Sequence, residues 1–331
     1  MKKKLWIWGI LFGVILGWLA ARFYWIRKFL ENIDIQKAIS THPYRRKRDY
    51  RFPATKETTS YLISHTVQEG IERIVYTPKQ PRFNTPILFV HGMWHNGSCW
   101  RLWQELLAEW GWESISFSLP GHGGSPLQRP IALSTLDYYL GFVKAEVDRM
   151  NKHPVMIGHD MGGALIQWYL KYVSDLPAVV MAASWDSHSF LRDSMRHLFR
   201  LDPLGCAQMF IQMTASPLIR NPLVTAKKLT TEGSVFGSDQ LHTMIGQESA
   251  LVMYQHNSPF WYPPTLIHTP VLWLAGEADA MIGEESSRKS AAHYRADYVM
   301  VKNVGHDLMI ERLFSPTVEM IHSWLLQHSI S

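Results

Sequence analysis

The stretch PVMIGHDMGG, Pro154 to Gly163, decides how this chain is read. An apolar, strand-like run ends in Gly158-His159-Asp160-Met161-Gly162. The segment MGGALIQWYLKYV opens a helical pattern directly behind it. Strand, sharp turn and helix, with glycine on both sides, is the spacing of a nucleophile elbow, G-x-S-x-G. Here an aspartate stands where the serine belongs. The flanking glycines serve a strained turn against which neighbouring chain packs closely. The next residue, Met161, offers its backbone N–H at a helix N-terminus, where developing negative charge is stabilised.

Short apolar runs alternate with helical patterns on either side of the elbow. That is the signature of a mostly parallel α/β sheet with helices on both faces. Strands are expected in YLISHTV from Tyr61, IERIVYT from Ile71, TPILFVHG from Thr85 and the run from Glu113 into LPGHGGS. Further strands are expected in LPAVVMAASW from Leu176, TPVLWLAGEAD from Thr269 and ADYVMVKNVGHD from Ala296. Leu133 to Met150 and the run from Ser315 have helical spacing. The interval 187–264 breaks the alternation. It is rich in Met, Leu and Phe at helical spacing, with Pro203, Pro217 and Pro222 as breakers, and reads as a helical cap inserted between strands. Its methionines are mostly the cap's own core, but an apolar roof suits a lipophilic small molecule.

In this order of elements an acid and a histidine follow the nucleophile. Asp279 lies just past a strand in LAGEADAMIG, and His306 just past the last strand in NVGHDLMIE. Both are carboxyl ends of strands, where such sheets gather catalytic groups. Asp186 and Glu277 compete with Asp279 for the acid, but Asp279 stands the usual short distance before the histidine. The loop HGMWHNGSCW, from His91 to Trp100, follows an earlier strand, and Met93 is its natural second oxyanion donor.

From about residue 60 onward the chain resembles the α/β-hydrolase superfamily: HGMWHNGSCW, LPGHGGS, GHDMGG, GEAD and VGHDLMIE fall in its order. The HGMW region is most similar to the esterase and hydroxynitrile-lyase-like branch, whose nucleophile is serine. An aspartate at the elbow marks instead the epoxide hydrolase and haloalkane dehalogenase branches. The resemblance implies a catalytic set of Asp160, Asp279 and His306. Epoxide hydrolases usually carry proline where Trp94 stands and use two cap tyrosines as acids. Tyr254 and Tyr262 are the tyrosines available, although an aromatic at a cap edge is more often packing. Dehalogenases usually carry tryptophan where Met161 stands. Trp94 is a candidate N–H donor to a leaving group, with core packing as its plainer role.

A carboxylate is a poor nucleophile toward an acyl carbon. It attacks an sp³ carbon bearing a leaving group and forms an alkyl ester, which a histidine-activated water then hydrolyses. Asp160 therefore suits epoxide or alkyl-halide hydrolysis. Two alternatives stay open: a carboxylic-ester hydrolase with Asp160 as general base, and a non-catalytic fold used as a binding module. No cofactor is implied.

The chain has 331 residues, 47% of them hydrophobic and 18% charged, an ordinary globular balance. Leu5 to Ala21 is an uncharged run whose apolar character continues past Arg22 in RFYWI, and together they can just cross a hydrocarbon core of ~30 Å with Arg22 snorkelling to the interface. It makes 1–29 a candidate transmembrane anchor in contact with membrane lipid. A cleaved signal peptide and a helix packed on the domain are the rival readings. Residues 30–58 read as a basic juxtamembrane linker and 59–331 as the hydrolase domain. Basic residues flank the apolar run on both sides, and the longer basic run follows it, which favours a cytoplasmic domain. Flanking a membrane candidate, these clusters argue against nucleic acid. Cys99 and Cys206 do not make a disulfide framework, and the sixteen histidines show no metal-ligand spacing.

Overall fold

The structure, a computed structural model, describes residues 2–41, 43, 50–51 and 55–331; the side chains of 2–12, 15, 50–51 and 193 lie outside that description. The chain divides into two units, residues 1–35 and 36–331. The first is a long helix, α1 (Lys2–Glu31). The anchor expected at 1–29 falls in part on residues whose side chains are not described. Among the described residues no helix is long and apolar enough to cross a membrane. In α1 the uncharged run ends at Arg22, and near the helix end Arg27 and Lys28 both pair with Glu31, at 2.6 and 2.9 Å.

The division falls at the first residue of α2 (Ile35–Ser40), and the second unit is built on a ten-stranded sheet. The strands are β1 (Tyr50–Arg51), β2 (Lys56–Glu57), β3 (Tyr61–Gln68), β4 (Ile71–Pro78), β5 (Ile87–Val90), β6 (Ser114–Phe117), β7 (Val155–His159), β8 (Val179–Ala182), β9 (Val271–Gly276) and β10 (Asp297–Val301). Their order is β1-β3-β4-β6-β5-β7-β8-β9-β10, with β2 also on β3. Strands from β6 to β10 pair in parallel, and the β1–β4 edge is antiparallel. The segment expected as linker thus contributes β1 and β2 to this edge.

The central strands β5, β7, β8 and β9 are buried along their whole length. A parallel strand covered on both faces needs a continuous apolar run, which ILFV and VVMA supply. The covering helices are α3 (Arg101–Glu109), α4 (Leu136–Asp148), α5 (Met161–Tyr172), α11 (Glu284–Tyr294) and α12 (Phe314–Gln327). Between β8 and β9 the chain forms α6 (Phe190–Leu201), α7 (Pro203–Gln212), α8 (Pro222–Leu229), α9 (Ser238–Met244) and α10 (Leu251–Gln255). Cys99 and Cys206 are free and buried.

Register positions the site. Val90 pairs with Gly158, His159 with Ala182, and Gly276 with Val301. The loops after β5, β7 and β8 therefore leave the sheet side by side, as do those after β9 and β10.

Candidate active site

Asp160 forms the turn between β7 and α5 at φ 50° and ψ −117°, a conformation that costs a side-chain-bearing residue on the order of 1–3 kcal/mol. Close packing holds it there. A Cβ on Gly162 would lie 2.1 Å from the Val90 carbonyl, and one on Gly92 would lie 2.7 Å from the Asp160 Cβ. Trp94 (φ 64°) and Ala183 (φ 44°) also adopt positive φ, so strain gathers in the three neighbouring loops.

The Asp160 carboxylate is 2% exposed, yet well supplied with donors. Oδ2 accepts from the Met93 N–H at 2.9 Å, and Oδ1 from the Trp185 indole Nε1–H at 2.5 Å. His306 Nε2 lies 3.5 Å from Oδ1, an ion-pair distance rather than a good hydrogen bond. The other His306 nitrogen, Nδ1, meets Asp279 at 2.9 and 3.1 Å. Asp279 is fixed in turn by the N–H groups of Met281 and Ile282, at 2.7 and 2.9 Å. The structure thus brings Asp160, His306 and Asp279 into one chain of contacts. The competing acids are engaged elsewhere: Asp186 accepts from Ser194 Oγ and Glu277 from the Asn303 N–H.

Charge is set by these neighbours. Burial pushes the Asp160 carboxyl up, but the adjacent His306, then His159 and the Met93 N–H, outweigh it and hold it at about 2. Burial pushes His306 down, but the Asp279 and Asp160 carboxylates outweigh it and lift it well above its ordinary value. The resting pair is carboxylate and imidazolium.

The remaining expected residues divide. Met93, expected as a second oxyanion donor, gives its N–H to Asp160 Oδ2. Met161 opens α5 fully buried, but among the described residues the carboxylate's hydrogen-bond donors are Met93 and Trp185. Trp94 is buried, its carbonyl accepts from the Gly246 N–H of the cap at 2.7 Å, and its indole Nε1 has no partner among the described residues. The cap tyrosines do not reach the carboxylate. Tyr262 is 56% exposed with its hydroxyl on Ser258 Oγ at 2.6 Å, and Tyr254 packs on Phe210 inside the cap. Tyr262 directly follows a buried tryptophan, Trp261, and alternation turns it outward.

Trp185 was not legible in the sequence. Its only signal is an aromatic just beyond the carboxyl end of a parallel strand, in VVMAASW. A second unanticipated feature lies behind His306. His95 meets Asp307 at 3.1 Å, and His159 meets the His306 carbonyl at 3.1 Å and Asp307 at 3.5 Å. One ligand atom from each of His95, His159 and Asp307 lies within 4.8 Å of the others, close enough to hold a metal ion. The hydrogen bonds from His95 to Asp307 and from His159 to the His306 carbonyl also tie the loop after β5, the elbow and the His306 loop into one unit. Burial, then the nearby His306, pushes His159 down to about 4, so its ring is neutral and free to donate.

Residues 87–317 match the sequence profile of the alpha/beta hydrolase family, and the chain belongs to that family. No curated protein matches it by sequence. Among solved structures, the fold is similar to the monoacylglycerol lipase of Paleococcus ferrophilus, with 19% identity, a TM-score of 0.58, and coverage of 78% of this chain and 99% of that one. It is also similar to a membrane phospholipase A described as a bacterial virulence factor, with 16% identity, a TM-score of 0.61 and coverage of 100% of both chains. A thermophilic esterase from Thermogutta terrifontis aligns with 16% identity, a TM-score of 0.54, and coverage of 85% of this chain and 99% of that one. At these identities the likeness is one of fold, and the chain is a hydrolase of this superfamily.

Proposed function

We propose that the enzyme hydrolyses a lipophilic epoxide or alkyl halide through an alkyl ester on Asp160. The observation that carries this reading is the hydrogen bond from the Met93 N–H to Asp160 Oδ2. In ester hydrolysis that donor must be free for the substrate's acyl oxygen. Here the aspartate's own oxygen occupies it. For an alkyl-ester route the arrangement is productive in both halves. Oδ1 attacks the sp³ carbon, the bond to the leaving group breaks, and the electron pair departs with that group. Oδ2 becomes the ester carbonyl, already seated on Met93. When His306-activated water then attacks Cγ, the oxyanion develops on the same Oδ2.

Forming the ester also readies the base. The imidazolium is held partly by the Asp160 charge. Esterification removes that charge, so the His306 pKa falls. Its proton passes to the opened epoxide oxygen or leaves with the halide, and the neutral ring takes a proton from water. Asp279 stays paired with Nδ1 and orients the ring. The second reading, Asp160 as general base on an ester, draws its support from the fold's likeness to esterases and lipases and from the HGMW loop.

The uncharged run Leu5–Ala21 supports a membrane-anchored enzyme whose substrate partitions into lipid. The test of the chemistry is intact-protein mass spectrometry on His306→Gln, incubated with lipophilic epoxides, haloalkanes and aryl esters. An alkyl adduct mapping to the Asp160 peptide is expected. Ester turnover that needs Asp160, with no adduct from any compound, would replace this reading with the general-base one.

A further inference from the structure

Helices α6 and α7 of the cap carry an outer surface that the chemistry at Asp160 does not use. Along α6, Arg192, Arg196 and Arg200 recur at four-residue spacing and are exposed on one stripe, with Phe199, 53% exposed, beside them. The groove formed by Leu191, Met195, Phe199 and Phe210 with these arginines encloses about 430 Å³. Along α7, Leu204 (59% exposed), Ala207 and Ile211 (54% exposed) recur at helical spacing on the outward side. A helix pair that turns both apolar side chains and an arginine row to the outside fits neither a buried core nor a purely solvated face.

We propose that this α6–α7 surface seats on an anionic phospholipid bilayer, with Leu204, Ile211 and Phe199 entering the headgroup region and Arg196 and Arg200 meeting lipid phosphates. Charge complementarity selects this occupant. A row of guanidinium groups matches an anionic lipid surface, and the apolar side chains between them match its acyl boundary. Among the described residues Arg196 and Arg200 enter no ion pair, whereas the neighbouring Arg220 and Lys228 are committed to Asp202 at 2.5 Å. The proposal concerns the cap and is independent of the leaving-group chemistry.

The test uses the full chain with an environment-sensitive dye on Ala207→Cys. The native thiols do not compete: both are buried, and burial pushes Cys206 up to about 11. Because the dye reports local insertion, binding through α1 does not mimic the signal. A blue shift is expected on phosphatidylglycerol-rich vesicles and a much smaller one on pure phosphatidylcholine. In Arg196→Gln/Arg200→Gln the ratio of inserted to free dye should fall on the order of 30-fold on the anionic vesicles. An equal shift on both lipids, a shift unchanged in the double variant, or no shift on any vesicle would overturn the proposal. A blue shift that appears without lipid as concentration rises would also overturn it, by assigning the surface to a second copy of the chain.

Discussion

Asp160→Asn is nearly isosteric, yet the site cannot accommodate it. The carboxylate accepts from Met93 on one oxygen and from Trp185 on the other. An amide has one acceptor. Placed with its oxygen toward Met93, it turns its NH₂ toward the Trp185 N–H and His306; flipped, it turns the NH₂ toward Met93. Either way a buried donor loses its partner, at about 1–3 kcal/mol, and the ion pair with His306 is broken. Removing one partner of a buried pair costs about 3–5 kcal/mol in all. Thermal and denaturant unfolding at neutral pH should show a loss of that order.

The pH dependence has a definite sign. Asp160 titrates at about 2 in the folded protein, below the ordinary carboxylate value of about 3.9. Its contribution is therefore present above pH ~4 and lost as pH falls toward 2, and that part amounts to roughly 2–3 kcal/mol. The gap between wild type and Asn variant should narrow across that window. His306 has a raised folded pKa, so its contribution is full below its unfolded value and fades as pH rises through the folded one. In the Asn variant its titration, followed by histidine NMR, should move down. A variant as stable as wild type, with an unmoved His306, would refute the ion-pair account.

Three further outcomes follow from contacts at the site. Gly92→Ala places a Cβ 2.7 Å from the Asp160 Cβ and 2.8 Å from His159 Nδ1, so alkyl-enzyme formation should fall on the order of 100-fold, read by adduct mass against time. Trp185→Phe keeps the stack on Phe190 but removes the Oδ1 donor from a buried carboxylate; denaturant unfolding should show a loss of about 1–3 kcal/mol. Tyr262→Phe should leave turnover within about two-fold, because its hydroxyl bonds Ser258 at the surface; a large loss would restore it as a cap acid.

The sheet was readable because its buried parallel strands are written as continuous apolar runs, and the elbow because its strain demands glycines at fixed offsets. The loop carrying Met93 was placed beside the elbow by the same logic, but that its N–H would meet the Asp160 carboxylate was not legible. Trp185 was hidden because its role depends on register: Ala182 pairs with His159, which sets two loops side by side that are far apart in sequence. The cluster of His95, His159 and Asp307 was hidden for the same reason, since each residue alone sits inside a motif that already has a reading. The cap tyrosines were named by type, and type does not give direction. The short strands β1 and β2 were missed because two residues each carry no alternating apolar pattern; they are defined by pairing with β3.

The central claim is that Asp160 attacks carbon and is itself the site of hydrolysis. A single turnover in oxygen-18 water, with enzyme in excess over a lipophilic epoxide or haloalkane, followed by peptide mass spectrometry, tests it directly. Water attacking Cγ of the ester must leave one labelled oxygen in the Asp160 carboxylate and none in the first-turnover alcohol. Label in the product alone, with an unlabelled Asp160 peptide, would mean that water attacks the substrate and that Asp160 is a base rather than a nucleophile.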